Sequence, residues 1–433
     1  MLTKNRTTQT QPDLVCFSHL RWDFVFQRPQ HLLTRCARDR RVFFVEEPIF
    51  GNGSMRLELR AANEINNGVH VVVPHLPDGL RSEVATTAVM EEMIRRLFSD
   101  QGIREYIFWY YTPMALSFTK SFSPVASIYD CMDELSAFKG AHSRLADFER
   151  ELFGRVDLVF TGGQSLYEAK RHQHHAVHAF PSSIDAAHFG QARNFAGDPA
   201  DQKHIPHPRL GFFGVIDERF DIQLLDAVAS KRPDWQFVMI GPTVKIDPAT
   251  LPRYANIHYL GAKKYEELPH YLAGWDVALL LFARNESTRF ISPTKTPEYL
   301  AAGKPVISTS IRDVVRPYGE LNLVRIADTP DEFIKAAEEL LGDTKAEREP
   351  AATGRLRNSQ TAAESEWLQK VDEFLANMSW DKTWQQMSNL ISQTIDEKRE
   401  LTQIKPQITP IRQSQKEVSL KHVAGAFESM KSA

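Results

Sequence analysis

Short apolar runs separated by longer amphipathic stretches recur along most of the chain, and this alternation restricts it to α/β architectures built on parallel sheets. A strand covered on both faces reads as an unbroken apolar run, while the helix that covers it keeps a polar side. A first series predicts strands at Asp13–Phe17, Arg41–Val45, Val69–Val73, Glu105–Trp109, Ala126–Tyr129, Leu158–Phe160 and Val177–Phe180. Helices are predicted between them at Gln30–Cys36, Ser82–Phe98 and Ser143–Phe153. A second series predicts strands at Arg209–Phe213, Gln236–Ile240, Ile257–Leu260, Val277–Leu281, Pro305–Ser308 and Leu323–Ile326. Its helices are expected at Asp221–Ser230, Tyr265–Ala273, Pro297–Ala302 and Pro330–Leu341. Residues 186–208, between the series, are poor in periodic apolar pattern and rich in Gly, Pro, Asn, His and Asp, which is linker composition. Two domains, 13–185 and 209–377, are therefore expected, with ligands bound in the cleft between their sheets.

Further on, Glu364–Asn377 reads as a helix, and Ser379 caps another over 379–398 whose apolar face carries Trp380, Trp384, Met387 and Ile391. From Leu401 the chain turns polar, and 401–433 reads as a flexible tail with a short amphipathic stretch at Val418–Met430.

Composition removes several classes of function. A chain of 433 residues exceeds a single core. A hydrophobic fraction of 42% and a charged fraction of 25% are ordinary for a globular protein. The net charge of −3 lacks the basic excess of a nucleic-acid binder. Cys16, Cys36 and Cys131 have no metal-ligand spacing and read as reduced thiols, which argues for the cytoplasm. No apolar run approaches the roughly 20 residues of a membrane span, and the polar Met1–Pro12 has no apolar centre of a signal peptide. A peripheral membrane contact through the tail stays open. His174 and His178 stand four residues apart, but no carboxylate lies close by and the run enters a strand, so a surface turn is expected and no metal site is assigned.

The stretch Ser292-Pro293-Thr294-Lys295-Thr296-Pro297-Glu298-Tyr299-Leu300-Ala301-Ala302-Gly303-Lys304-Pro305-Val306-Ile307 carries the most chemistry. It sets a cation and a carboxylate at i and i+3, on one face at the start of a predicted helix. A cation for phosphate and a carboxylate for sugar hydroxyls together suit a nucleotide-sugar. The alternative, an exposed ion pair, contributes only about 0.2–0.5 kcal/mol and gives little reason to flank the pair with prolines. Two other strand ends share that sheet edge: Gly214 after the first strand of the series and Gly241-Pro242 after the next. Arg219, in the turn after Gly214, can clamp a pyrophosphate with its two parallel N–H donors.

In the order and spacing of these elements the second domain resembles the group 1 (family 4) glycosyltransferases of the GT-B fold. The resemblance implies two Rossmann-like parallel-sheet domains facing across a cleft, with a C-terminal helix crossing back to the first. It implies donor binding by Gly214, Arg219, Gly241, Pro242, Leu260, Thr294, Lys295 and Glu298, with Glu298 on the ribose and Arg219 and Lys295 neutralising the diphosphate. The chain departs from the family at two points. Phe290 stands where many members have a sugar-facing glutamate, with Glu286 nearby, and no lysine lies in the helix start at Asp221–Leu224.

In the first domain, the loop after the first strand holds His19, Arg21, Trp22, Asp23 and Arg28, suited to a polyhydroxylated acceptor, with Trp22 stacking on a sugar face. The stretch resembles one in bacterial glycosyltransferases of capsule, exopolysaccharide and teichuronic-acid synthesis. Asp130 and Asp133 end a later strand, and Asp133 is preferred as the acid that positions the acceptor. The reading is a transferase moving a sugar, with retention of configuration, from a nucleotide-diphosphate donor to a glycan or lipid-linked acceptor, with Asp133, Arg219 and Lys295 as its catalytic set. No further cofactor and no metal are called for. A nucleotide-sugar epimerase of the same fold, or a non-catalytic scaffold, are the alternatives.

Overall fold

The computed structural model describes residues 11–62, 68–345 and 362–404. Of the flexible tail expected over 401–433, residues 401–404 instead continue the last helix, and the rest, including Val418–Met430, lies outside the described residues. Among the described residues fifteen strands divide between two sheets. The first contains β1 (Asp13–Ser18), β2 (Val42–Glu46), β3 (Ile49–Gly51), β4 (Arg56–Ala61), β5 (Val69–Pro77), β6 (Tyr106–Tyr110), β7 (Ala126–Cys131), β8 (Leu158–Thr161) and β9 (Val177–Ala179). The second contains β10 (Arg209–Phe213), β11 (Gln236–Ile240), β12 (Ile257–Gly261), β13 (Val277–Leu280), β14 (Val306–Ser308) and β15 (Arg325–Ile326).

Strand order in the first sheet is β3-β5-β2-β1-β6-β7-β8-β9, and in the second β12-β11-β10-β13-β14-β15. All pairings are parallel except that β4 runs antiparallel along β5, from Arg56 opposite His75 to Ala61 opposite His70. The expectation of a wholly parallel first sheet is therefore corrected by an edge hairpin. Its strand β4, Arg-Leu-Glu-Leu-Arg-Ala, alternates polar and apolar residues and lacks the apolar run of a central strand. Both sheets bring their carboxyl ends to loops: β1 leads into His19, β7 into Asp133, β10 into Gly214 and β11 into Gly241.

Each sheet is buried on both faces. Phe17, Phe108, Tyr129 and Leu152 belong to one core of the first, while Leu210, Leu225, Phe237 and Phe333 pack one face of the second. On the other face of the second sheet the core includes Phe189, Ala192 and Ile205. These three come from 186–208, so the segment read as a linker is packed against the second sheet and contains the short helix Ala186–Gly190. Its apolar residues are too few and too widely spaced to show a period.

The two sheets meet through specific contacts. The backbone N–H of Ser165 donates to Asp313 at 3.0 Å, the Ser182 hydroxyl donates to the Ser292 carbonyl at 2.7 Å, and Arg312 pairs with Glu168. Phe26, from the loop after β1, stacks on Tyr265 with ring centroids 4.4 Å apart. The last helix, Trp380–Ile404, begins on the first domain: Trp380 stacks on His31 at 4.6 Å, Asp381 accepts from Arg35 and Arg38, and Trp384 meets Trp109. The crossing-back helix is thus present, and large rings anchor its first turns.

Candidate active site

The donor-side residues converge at the carboxyl edge of the second sheet. Gly214 and Gly241 end adjacent strands, at φ of 143° and 138°. A Cβ on Gly241 would lie 1.8 Å from the Gly214 carbonyl oxygen, and one on Gly214 would lie 2.1 Å from Lys295 Cε. Only glycine fits either place. The Gly214 N–H already donates to the Ile240 carbonyl (2.8 Å) and that of Gly241 to the Gly261 carbonyl (2.9 Å). Gly214 therefore contributes the bed on which the Lys295 side chain lies, while its own amide is committed to the neighbouring strand. Pro242 accepts from the Ile216 N–H at 3.0 Å, tying the two loops together, and Leu260 sits on the next strand, packed on the core.

Thr294 precedes the helix Lys295–Ala301, which carries Lys295 at its first position and Glu298 one turn on. No ion pair within 4.0 Å joins the two, or joins either to another described residue. This excludes the exposed ion pair weighed above. Glu298 is buried, 7% exposed, and burial raises its carboxyl to about 7, with Lys295 opposing the rise. Lys295 is half-buried; burial lowers its ammonium, and Glu298 offsets part of that. Near Glu298 the buried hydroxyl of Tyr265 has no hydrogen-bond partner, and neither has the buried hydroxyl of Thr296 on the same helix. Tyr265 lies close enough to feel the Glu298 charge. Buried polar atoms without partners cost about 1–3 kcal/mol each, so this corner of the site suits a hydroxylated ligand.

Arg219 lies in the loop after Gly214, where its Nε and Nη2 donate to Asp217 at 3.0 and 2.7 Å. The arginine thus enters the site with its charge already matched by a buried carboxylate. Its guanidinium sits 5.4 Å from the centre of the Phe138 ring, which belongs to the first domain.

On the acceptor side the expected residues separate. Asp133 follows β7, and burial raises its carboxyl to about 6 against the opposing fields of Arg219, Arg28 and Lys295. It brings a first-domain carboxylate within electrostatic reach of the second-domain cations. His19 donates from Nδ1 to the Tyr111 carbonyl (3.1 Å), which leaves Nε2 as an acceptor. Burial lowers its imidazole to about 4, with Lys245 of the second domain adding to the lowering, so His19 is neutral at pH 7.

The other expected acceptor residues are engaged in holding the first domain together. Trp22 is buried against Phe44 at 5.0 Å and offers no face to a sugar, so its stacking role is corrected. Arg28 is buried in a bidentate pair with Asp130 (2.9 to 3.1 Å) and donates to the Phe180 carbonyl, so it braces helix, strand and chain exit together. That pairing also accounts for Asp130, which has no face to a ligand. Arg21 pairs with Glu46 and donates to the Glu47 carbonyl. Asp23 is exposed and paired with Arg60 of β4. Glu286 is exposed beside Arg289, and Phe290 packs against the first-domain core, so neither presents a carboxylate to the cleft.

One residue at this site has no counterpart among those chosen from sequence. Lys245, at φ 61°, reaches across to the Phe138 ring with Nζ 5.3 Å from its centre. The missing lysine at Asp221–Leu224 was the only sequence signal for a substitute; Asp221 itself caps its helix by accepting from Leu224 N–H. Among the described residues no cluster of three or more His, Cys, Asp or Glu could hold a metal, and no helix is long and apolar enough to cross a membrane. His174 bonds the Val156 carbonyl at 3.1 Å as part of its turn.

Residues 207–343 match the family of group 1 glycosyl transferases. Solved structures place the whole architecture in the GT-B fold. Sucrose-phosphate synthase from Thermosynechococcus elongatus superposes with a TM-score of 0.65 at 13% identity, covering 89% of this chain and 100% of that one. Anabaena Alr3699/HepE in complex with UDP and glucose gives 0.60 at 13% identity, covering 88% and 100%. In sequence, 257 residues are 26% identical to TuaH of Bacillus subtilis (strain 168), a glycosyltransferase named for teichuronic acid biosynthesis. That match spans 54% of this chain and 63% of TuaH.

Proposed function

We propose that this chain is a glycosyltransferase that moves a sugar from a nucleotide-diphosphate donor to a glycan or lipid-linked acceptor during cell-surface polysaccharide assembly. The observation that carries the reading is Lys295 lying over Gly214 while Glu298, buried and without an ion-pair partner, stands one helical turn behind it. A diphosphate beside Lys295 would place the donor ribose toward Glu298 and the hydroxyl of Tyr265. The likeness to a structure holding UDP and glucose, and to a relative named for teichuronic acid biosynthesis, supports the same assignment.

In this reading Lys295 offsets the negative charge that grows on the departing diphosphate, where preorganised cations stabilise a transition state most, and Arg219, its charge matched by Asp217, adds N–H donors. Asp133 and the free Nε2 of His19 face the transferred sugar or the acceptor hydroxyl, accepting hydrogen bonds from across the cleft. Retention of configuration, with the leaving phosphate taking the acceptor proton, belongs to the proposal. So does a position on the cytoplasmic side of the membrane, with any lipid contact made peripherally.

Incubation of the purified chain with a panel of nucleotide-diphosphate sugars, with and without a cell-envelope glycan extract, tests it. Sugar incorporation that needs the acceptor and disappears in Glu298→Ala and Lys295→Ala is the expected result. Conversion of donor without acceptor would identify an epimerase, and wild-type activity in both variants would refute the assigned site.

A further inference from the structure

We propose that Lys245 is a diphosphate-binding residue of this cleft, gripping the donor from the side opposite Lys295. The inference rests on the donor-site reading above and adds to it a residue from a different loop. Three second-domain cations converge here, and they differ in how far they are committed. Arg219 is held bidentate by Asp217. Lys295 has no ion-pair partner, and Lys245 has none among the described residues. A diphosphate needs net positive charge, which the Arg219–Asp217 pair does not supply; the two lysines do.

The loop carrying Lys245 is fixed to the loop carrying Arg219. Ile216 N–H donates to the Pro242 carbonyl (3.0 Å) and Val244 N–H to the Ile216 carbonyl (3.1 Å). The next residue, Lys245, adopts a left-handed backbone at φ 61°, a conformation that side chains other than glycine and asparagine rarely take. The bend directs its ammonium to Phe138, the ring also faced by Arg219. Two cations around one ring repel each other, and an anion between them relieves that repulsion. Among the described residues the Phe138 ring is the partner of Lys245; a phosphate is a stronger one. This arrangement supplies the positive charge that the helix start at Asp221–Leu224 lacks.

Titration calorimetry with UDP and with uridine as probes, on the full chain and on Lys245→Met and Lys245→Arg, tests the proposal. Lys245→Met should weaken UDP binding by about tenfold, the effect of one charge-assisted contact. Uridine affinity should stay within twofold, and Lys245→Arg should recover most of the loss for UDP. The salt dependence of UDP binding should also be shallower in Lys245→Met. Equal UDP affinity in Lys245→Met and wild type would overturn this inference alone. Failure of the wild type to bind UDP would overturn both it and the donor-site reading for that nucleotide.

Discussion

The carboxyl edges of the two sheets use their charged side chains in opposite ways. Along the first sheet nearly every charge selected for function is already neutralised: Arg28 by Asp130, Arg21 by Glu46, Asp23 by Arg60. Along the second, Lys295 and Glu298 share a helix yet make no ion pair, and the Tyr265 hydroxyl near Glu298 has no partner. Charge that is satisfied internally holds a fold; charge left unsatisfied in a cleft is available to a ligand. The exceptions on the first sheet are Asp133 and His19, which have no ion-pair partner among the described residues and whose pKa values burial displaces.

If this contrast is right, substitutions at the two edges fall into different columns of measurement. Arg28→Met should cost about 3–5 kcal/mol of unfolding free energy, because it leaves Asp130 buried and uncompensated. The double replacement Arg28→Met with Asp130→Leu should recover most of that loss in chemical denaturation, which would mark the pair as structural. Lys295→Met should leave the melting temperature unchanged and lower kcat by about 10²–10³, the effect of removing one preorganised charge at the leaving group. Comparable losses of stability from both single variants would erase the distinction.

The pH dependence of stability sharpens it further. In the folded chain the Glu298 carboxyl is raised from 4.5 to about 7, so the folded state keeps a proton that the unfolded state has released. The contribution of Glu298 to stability therefore declines as pH rises from about 4.5 to about 7. Glu298→Gln should flatten that part of the melting-temperature profile, and an unchanged slope would place the carboxyl in water. The smallest effect is expected at Asp23. Its exposed pair with Arg60 predicts less than about 1 kcal/mol for Asp23→Asn, with donor KM unaltered.

The difference between the edges also explains what was readable without coordinates. The central strands were legible because parallel strands covered on both faces leave continuous apolar runs, as at Val277–Leu280 and Gln236–Ile240. Lys295 and Glu298 were legible because their spacing within one helix fixes their common face. Arg28 and Asp130 are 102 residues apart, and nothing local distinguishes a buried bracing arginine from one waiting for a sugar. Trp22 was open to the same error, since a tryptophan in a polar loop reads alike whether it meets Phe44 or a ligand. Lys245 was hidden for a further reason: its function depends on a left-handed backbone and on a ring from the other domain, and neither leaves a motif.

The central claim is that the donor diphosphate lies against the Lys295 ammonium, where that side chain crosses Gly214, with its ribose on Glu298. A crystal structure of the chain with UDP tests it most directly. The account predicts β-phosphate density within hydrogen-bond distance of Lys295 Nζ and ribose hydroxyls within that distance of the Glu298 carboxylate. UDP bound elsewhere, with Lys295 and Glu298 unchanged and untouched, would contradict it.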